Sequence, residues 1–427
     1  MINGRSFNLF AASILARAPN FVLPIFVARV LDFPAYSLFA VAFATASASS
    51  AFLGEAIAAT ISRESYRVKQ EEAGSASLGA FYRTSTLAAF GLIGFGVLLY
   101  HDLISTGAGG IGPKLTLATA TLLLIPAYLL PQATAALANA RGLGRISVKA
   151  SLIGIPIAIG ASLALGAKFG VTYFLITYAV FTLLTNLYVY VRVSHASLIQ
   201  RKHVRAGVLS GYGSTFFFIL APFLLGGPVH GLCLAILGYQ ESGVEEVARF
   251  VAYYPWTMAV SVFSAVLGNY VVQTAVEVER NNDPVHLRTF LLRLLAGNLA
   301  LAILISACLW FGLDFALALY GSTIARDQTL FGWMLMTGIA AACVNTTSQI
   351  IIATGRGRGL LMASILHATM YICLTALFVG FSALGAIGLI QSLCYSLFLL
   401  AVTQLTLIAL RVQRSEQECA GFDRTPF

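Results

Sequence analysis

The sequence predicts an all-α integral membrane protein of about twelve transmembrane helices in two pseudo-symmetric six-helix bundles. Three observations carry that expectation. Hydrophobic residues make up 58% of the 427 and charged residues only 10%, with a mean hydropathy of +0.84, far outside the range of water-soluble globular domains. Apolar stretches long enough to cross a bilayer recur from end to end with short connections, which leaves no room for a separate soluble domain. Basic residues gather on alternate connections, as cytoplasmic loops do.

Spans are expected at roughly 7–31, 33–60, 80–100, 115–138, 148–166 and 172–193, and a second set at roughly 208–238, 245–275, 290–312, 329–353, 359–380 and 384–410. The first, Phe7–Leu31, carries Arg17 near its middle and prolines at Pro19 and Pro24. An arginine at bilayer depth costs about 2.5–3.5 kcal/mol on insertion scales, so it usually faces a polar cavity; snorkelling or a role in assembly is the other reading. Each proline frees a carbonyl one turn earlier and allows a bend. This stretch exceeds the apolar region of a secretion signal and is followed by no small-residue cleavage site, so it is expected to remain as a span.

Assigning the N-terminus and every second connection to one side gives that side 20 Lys and Arg. The opposite side holds 5: Arg29, Lys114, Lys168, Arg249 and Arg326. Both termini are therefore expected in the cytoplasm, and the net charge of +9 reads as this topology signal plus attraction to anionic lipid, not nucleic-acid binding. Two halves, 1–200 and 201–427, are expected from a repeat at an offset of 213 residues. Gly142-Leu143-Gly144-Arg145 matches Gly355-Arg356-Gly357-Arg358, and Ala150-Ser151-Leu152-Ile153 matches Ala363-Ser364-Ile365-Leu366. The register fails at the first and seventh spans, where Pro222 has no counterpart.

Candidate chemistry is sparse. Glu55 is the one carboxylate well inside a predicted span. Counted from the turn at Asp32, its depth differs from that of Arg17 by roughly 10 Å at 1.5 Å per residue, so a close Arg17–Glu55 pair is not expected and Arg17 is left available to an anion. Glu55 reads as a protonatable coupling site, a partner for Arg63, or a wetted residue near the cytoplasmic face. Arg249 opens the eighth span and is followed by Tyr253, Tyr254, Pro255 and Trp256. That pattern suits stacking on sugars and clamping of an anion, or an interfacial aromatic belt. The amides Asn20, Asn186, Asn269, Gln273, Asn345 and Gln349 add polar groups, each serving a ligand or a bond between helices. His230 follows a Gly226-Gly227-Pro228 break and His367 lies in the eleventh span; neither is taken as a site residue.

Five of the six cysteines fall in apolar segments without paired spacing, so neither a disulfide framework nor a metal site is expected. Walker loops, HExxH and nucleophile elbows are absent from the sequence, and direct ATP hydrolysis is not expected.

The turn Ala28-Arg29-Val30-Leu31-Asp32-Phe33-Pro34-Ala35-Tyr36-Ser37-Leu38-Phe39-Ala40 resembles the junction of the first two helices in polysaccharide flippases of the multidrug/oligosaccharidyl-lipid/polysaccharide (MOP) exporter superfamily. Ile61-Ser62-Arg63-Glu64 is similar to that family's ending of the second helix, and Val247-Ala248-Arg249 to its entry into the eighth. Ser37 departs from the usual glycine, and the Gly-Gly-Pro break is irregular. The resemblance implies a non-enzymatic transporter of the bacterial inner membrane, its two six-helix bundles set around a central cavity. It would move an undecaprenyl-pyrophosphate-linked oligosaccharide from the cytoplasmic to the periplasmic leaflet by alternating access.

The same resemblance makes Arg17, Asn20, Arg249, Tyr253, Asn269 and Gln273 the candidate substrate contacts, Glu55 a coupling site, and Pro19, Pro24, Pro222 and Pro255 hinges. It implies no cofactor, with coupling to H+ or Na+. The implied partners are the lipid-linked glycan, membrane lipids, and a polysaccharide polymerase with its assembly proteins. The alternatives are a cation-coupled drug exporter of the same fold, which would want membrane carboxylates, and a glycan polymerase or ligase, which would want a long outer loop. A cysteine placed at Arg201 in a cysteine-free chain is expected to react only with reagent admitted to the cytoplasmic side; labelling from outside would reverse the topology.

Overall fold

The computed structural model describes residues 4–67, 111–198, 222, 225–280, 284–320, 326–353 and 357–422, and among these it is all helix. The predicted span at 80–100 and all of 199–221 lie outside the described residues. The helices are α1 (Gly4–Val30), α2 (Phe33–Arg67), α3 (Ile111–Ala140), α4 (Gly144–Phe169), α5 (Val171–Leu198) and α6 (Leu225–Gly238). They continue with α7 (Gly243–Arg280), α8 (Pro284–Phe311), the short α9 (Leu313–Ala318), α10 (Gln328–Ala353), α11 (Gly357–Thr375) and α12 (Gly385–Phe422). Seven helices among the described residues are long and apolar enough to cross a bilayer. α11 widens into an i→i+5 turn over Ala376–Phe381, with Ser382 N–H donating to Leu377 O at 3.0 Å.

Helix boundaries follow local chemistry. Asp32 caps α2 by accepting the Ala35 N–H at 3.1 Å, and Pro34 sits in the first turn, where it has no hydrogen bond to lose. Gly142, at φ +75°, turns the chain from α3 into α4, and the Leu143 N–H closes the end by donating to Ala138 O. α1 runs unbroken through Pro19 and Pro24.

Lipid removes most of the hydrophobic drive between helices, so association rests on close packing and small residues. Small residues are buried along both helices of the packed α2–α3 pair: Ala40, Ala42, Ala44 and Ala46 on α2, and Ala133, Ala136 and Ala138 on α3. A Cβ on Gly54 would stand 3.0 Å from Leu129 O. Large apolar side chains on α4 and α5, such as Ile153, Leu184 and Leu187, point outward instead. Hydroxyls satisfy themselves on their own helices, as where Thr121 donates to Leu117 O at 2.9 Å and Ser162 to Ala158 O at 2.5 Å.

α2 packs on α3, α4 on α5, α3 on α5 and α1 on α4, while α10 packs on α7, α8 and α12, and α11 on α12. The two groups meet where α1 and α2 cross onto α7. Phe21 and Trp256 meet there edge to face at 5.2 Å. At the C-terminal end of α1, Arg29 donates to the carbonyls of Leu319 (2.5 Å) and Ala318 (2.8 Å) at the end of α9. Within the second group, Asn298 accepts from Ser264 at 2.8 Å and donates to Thr346, which ties α7, α8 and α10. Thr347, Ser348 and Gln404 link α10 to α12.

The α7–α10 seam leaves no room for a side chain at Gly338, where a Cβ would lie 2.7 Å from Val260 Cβ and 3.0 Å from Thr257 O. Gly338→Ala is expected to cost about 1–3 kcal/mol, read as a lower melting temperature of the detergent-purified chain.

Candidate functional site

A cavity of about 470 Å³ lies between the two groups, walled by α1, α2, α3, α6, α7, α10, α11 and α12. Arg17 and Asn20 line it from α1, Gln132 from α3, and Pro222 and His230 from the region of α6. Asn345 and Gln349 line it from α10, Gln404 from α12. Arg17 is half-buried and also has a partner within the chain, so the expectation of a wholly free cation is corrected. No Asp or Glu occurs among the described lining residues.

The helical period sorts the stretch after Arg249 into two faces. Phe250, Tyr254, Thr257, Met258 and Ser261 face the cavity. Arg249, Tyr253 and Trp256 do not line it. Arg249, expected as a cavity cation, instead forms ion pairs with Glu246 at 2.5 Å and Asp327 at 2.7 Å. Tyr253, expected as a sugar contact, is buried and accepts the Asp327 N–H at 2.8 Å.

The same cluster holds three helix starts. Asp327 caps α10 by accepting the Leu330 N–H at 2.9 Å, and Glu246, in the first turn of α7, accepts the Ala386 N–H of α12 at 2.7 Å. Gly385 is needed there: its φ is +57°, and a Cβ would lie 2.4 Å from Glu246 Oε2.

Asn269 and Gln273 fall within α7 and Glu55 within α2, but their side chains lie outside the described residues. Pro19, Pro24 and Pro255 are buried inside their helices. Asn186 bonds within its own helix, donating to Thr182 O at 2.8 Å. Among the described residues no cluster of three His, Cys, Asp or Glu could hold a metal.

Sequence reasoning passed over Gln132 and Tyr371, named Tyr254 only within the aromatic run after Arg249, and took neither histidine as a site residue. The available signal was spacing: Phe250/Tyr254 and His367/Tyr371 are i,i+4 pairs, each placing two rings on one helix face. Several buried polar atoms on the wall have no hydrogen-bond partner in the described chain: Asn20 Oδ1, Gln132 Oε1, Gln349 Oε1 and His367 Nδ1. A buried unsatisfied group costs about 1–3 kcal/mol, and hydroxyl groups of a ligand would relieve it.

The chain matches no family model. In structure it is similar to a MOP superfamily transporter from Pyrococcus furiosus, with a TM-score of 0.70 at 15% identity, covering 96% of this chain and 95% of that one. It is likewise similar to a multidrug resistance MATE family transporter of the MOP superfamily in an inward-facing conformation, with a TM-score of 0.64 at 14% identity, covering 98% and 96%. The class is therefore a multi-pass membrane protein with the twelve-helix fold of MOP superfamily transporters. Within it, a stretch of 186 residues, 42% of the chain, is 30% identical to the EPS I polysaccharide export inner membrane protein EpsE of Ralstonia nicotianae. Over 186 residues the chain is also 29% identical to EpsE of Ralstonia solanacearum. The chain matches 41% of the length of each of these relatives. These likenesses bear out the resemblance to polysaccharide exporters of the superfamily read from the sequence.

Arg249→Gln and Asp327→Asn are expected to be non-additive. A double-mutant cycle on thermal or denaturant stability should return a coupling of about 0.5–3 kcal/mol; simple addition would mean that the pair contributes nothing.

Proposed function

We propose that the protein carries an undecaprenyl-pyrophosphate-linked oligosaccharide from the cytoplasmic to the periplasmic leaflet of the inner membrane by alternating access, without breaking a bond in it. One observation carries the reading: a cavity between two helix groups lined by an arginine and buried amide oxygens without partners, with no carboxylate among its described residues. A guanidinium suits a pyrophosphate and amides suit sugar hydroxyls. Support also comes from the partial likeness to polysaccharide export proteins.

In this reading residues 1–200 and 201–427 are the moving lobes, both termini are cytoplasmic, and H+ or Na+ drives return. Arg29, gripping Ala318 and Leu319, closes the periplasmic end while the cavity faces the cytoplasm. A polymerase and its assembly proteins would receive the flipped unit. The fold alone also suits a drug exporter, as in the MATE transporters it resembles; a site for cationic drugs would want an acid on the cavity wall.

Complementation of a flippase-null strain is the test. The native chain is expected to restore surface glycan, while Arg17→Ala at equal expression restores about tenfold less or none, a loss of about 1.4 kcal/mol or more in transport free energy. Resistance to cationic drugs without glycan rescue would replace this reading with the exporter. Glu55→Gln is expected to alter the pH or ion dependence of transport; an unchanged dependence would remove Glu55 from coupling.

A further inference from the structure

Five rings pack together along the wall made by α6, α7 and α11: Phe250, Tyr254 and His230 meet mutually, with Phe250 and His230 5.8 Å apart, and Tyr371 and His367 continue from His230. Successive centroids are 5.3, 5.7, 6.0 and 6.1 Å apart, and successive planes are inclined by only 23°, 26°, 20° and 18°. All five line the cavity. His230 is buried, and its Nδ1 lies 2.9 Å from the Tyr371 hydroxyl. The ring of His367 has the Ser396 carbonyl as a hydrogen-bond acceptor, while its Nδ1 is buried without a partner.

Packing alone does not call for imidazole in such a cluster. What imidazole adds is a nitrogen that takes up a proton near neutral pH. The groups around the two rings limit what stabilises that charge. α1 offers Arg17, α7 Tyr254, α11 Tyr371, and α6 itself Cys233. Among the described residues, α2, α3, α10 and α12 bring no charged group to the cavity; their polar groups there include Ser47, Gln132, Asn345, Gln349 and Gln404. No described lining residue is acidic, so a protonated ring would add its charge to a wall whose described residues carry no negative group. An entering anion supplies the counter-charge.

We propose that His230 and His367 form, with Arg17, a proton-linked anion site: a pyrophosphate entering the cavity draws protons from the medium onto the imidazoles and is bound together with them. The proposal rests on the preceding reading that the substrate carries a pyrophosphate. In the charged state His367 Nδ1–H donates to a phosphate oxygen. His230 Nδ1–H donates to the Tyr371 oxygen, which turns the phenolic O–H toward the cavity. The protons return to the medium when the anion leaves, and no covalent bond forms.

The sign follows from linkage. The complex holds more protons than the free protein, so affinity falls as pH rises through the range where the bound imidazoles lose their protons, by up to about tenfold per pH unit for each proton taken up.

The test is calorimetric binding of a short-chain polyprenyl-pyrophosphoryl sugar to the full chain in detergent at about pH 6, 7 and 8. As a diester, this probe has no phosphate proton titrating in that range. Repeating the titration in two buffers of different ionisation heat counts the protons directly. The expected result is net proton uptake, with Kd rising about three- to tenfold per pH unit. The double variant His230→Gln/His367→Gln should lose both effects while retaining weak binding, and Tyr371→Phe should reduce them.

Binding that is flat in pH with no proton uptake overturns the histidine site and leaves the pyrophosphate reading standing. A slope that persists in a folded double variant also overturns it, by placing the proton elsewhere. Failure of the diester to bind at any pH overturns both. If the double variant does not fold, the proton count of the native chain decides.

Discussion

The ion cluster of Arg249 with Glu246 and Asp327 fixes the rotation of α7, and the cavity depends on that rotation. Arg249 joins α7 to the start of α10, and Glu246 carries the connection on to the start of α12 through the Ala386 N–H. With that face of α7 pinned, Phe250 and Tyr254 have only the cavity side left to occupy. Each carboxylate also serves a helix start, where backbone N–H groups lack partners and negative charge is favoured. The cluster is partly exposed, with Arg249 at 32%, so its worth lies more in orientation than in stability.

Span positions are legible in the sequence because lipid imposes one rule, twenty-odd apolar residues with their backbone satisfied internally. Helix starts at 33, 243, 328, 357 and 385 fall within two residues of those expected. Arg17 and Asn20 are legible for the same reason, since polar groups at that depth have few places to go but a cavity. Arg249 is not. An arginine followed by aromatics reads the same whether it faces a cavity or an acidic partner, and Asp327 lies 78 residues away in the chain. The ring cluster is not legible for a related reason. Its halves are local i,i+4 pairs, but the contact that joins His230 to Tyr371 spans 141 residues.

The polar interior divides by satisfaction. Asn298, Thr346, Thr347 and Gln404 are matched to protein partners and hold helices together. Asn20, Gln132 and Gln349 present acceptors that the described chain does not match, and all three lie on the cavity wall. Amides of the same chemistry thus serve as cement in one place and leave an accepting surface in another, and hydropathy alone does not separate the two uses.

Arg29 holds the far end of the seam by its grip on two main-chain carbonyls, those of Ala318 and Leu319. A backbone acceptor is indifferent to the side chain it belongs to. The residues at 318 and 319 can therefore drift among types that keep the helix end intact without loosening the contact. The burden of specificity falls on one side only, on the length and planar donor geometry of the arginine.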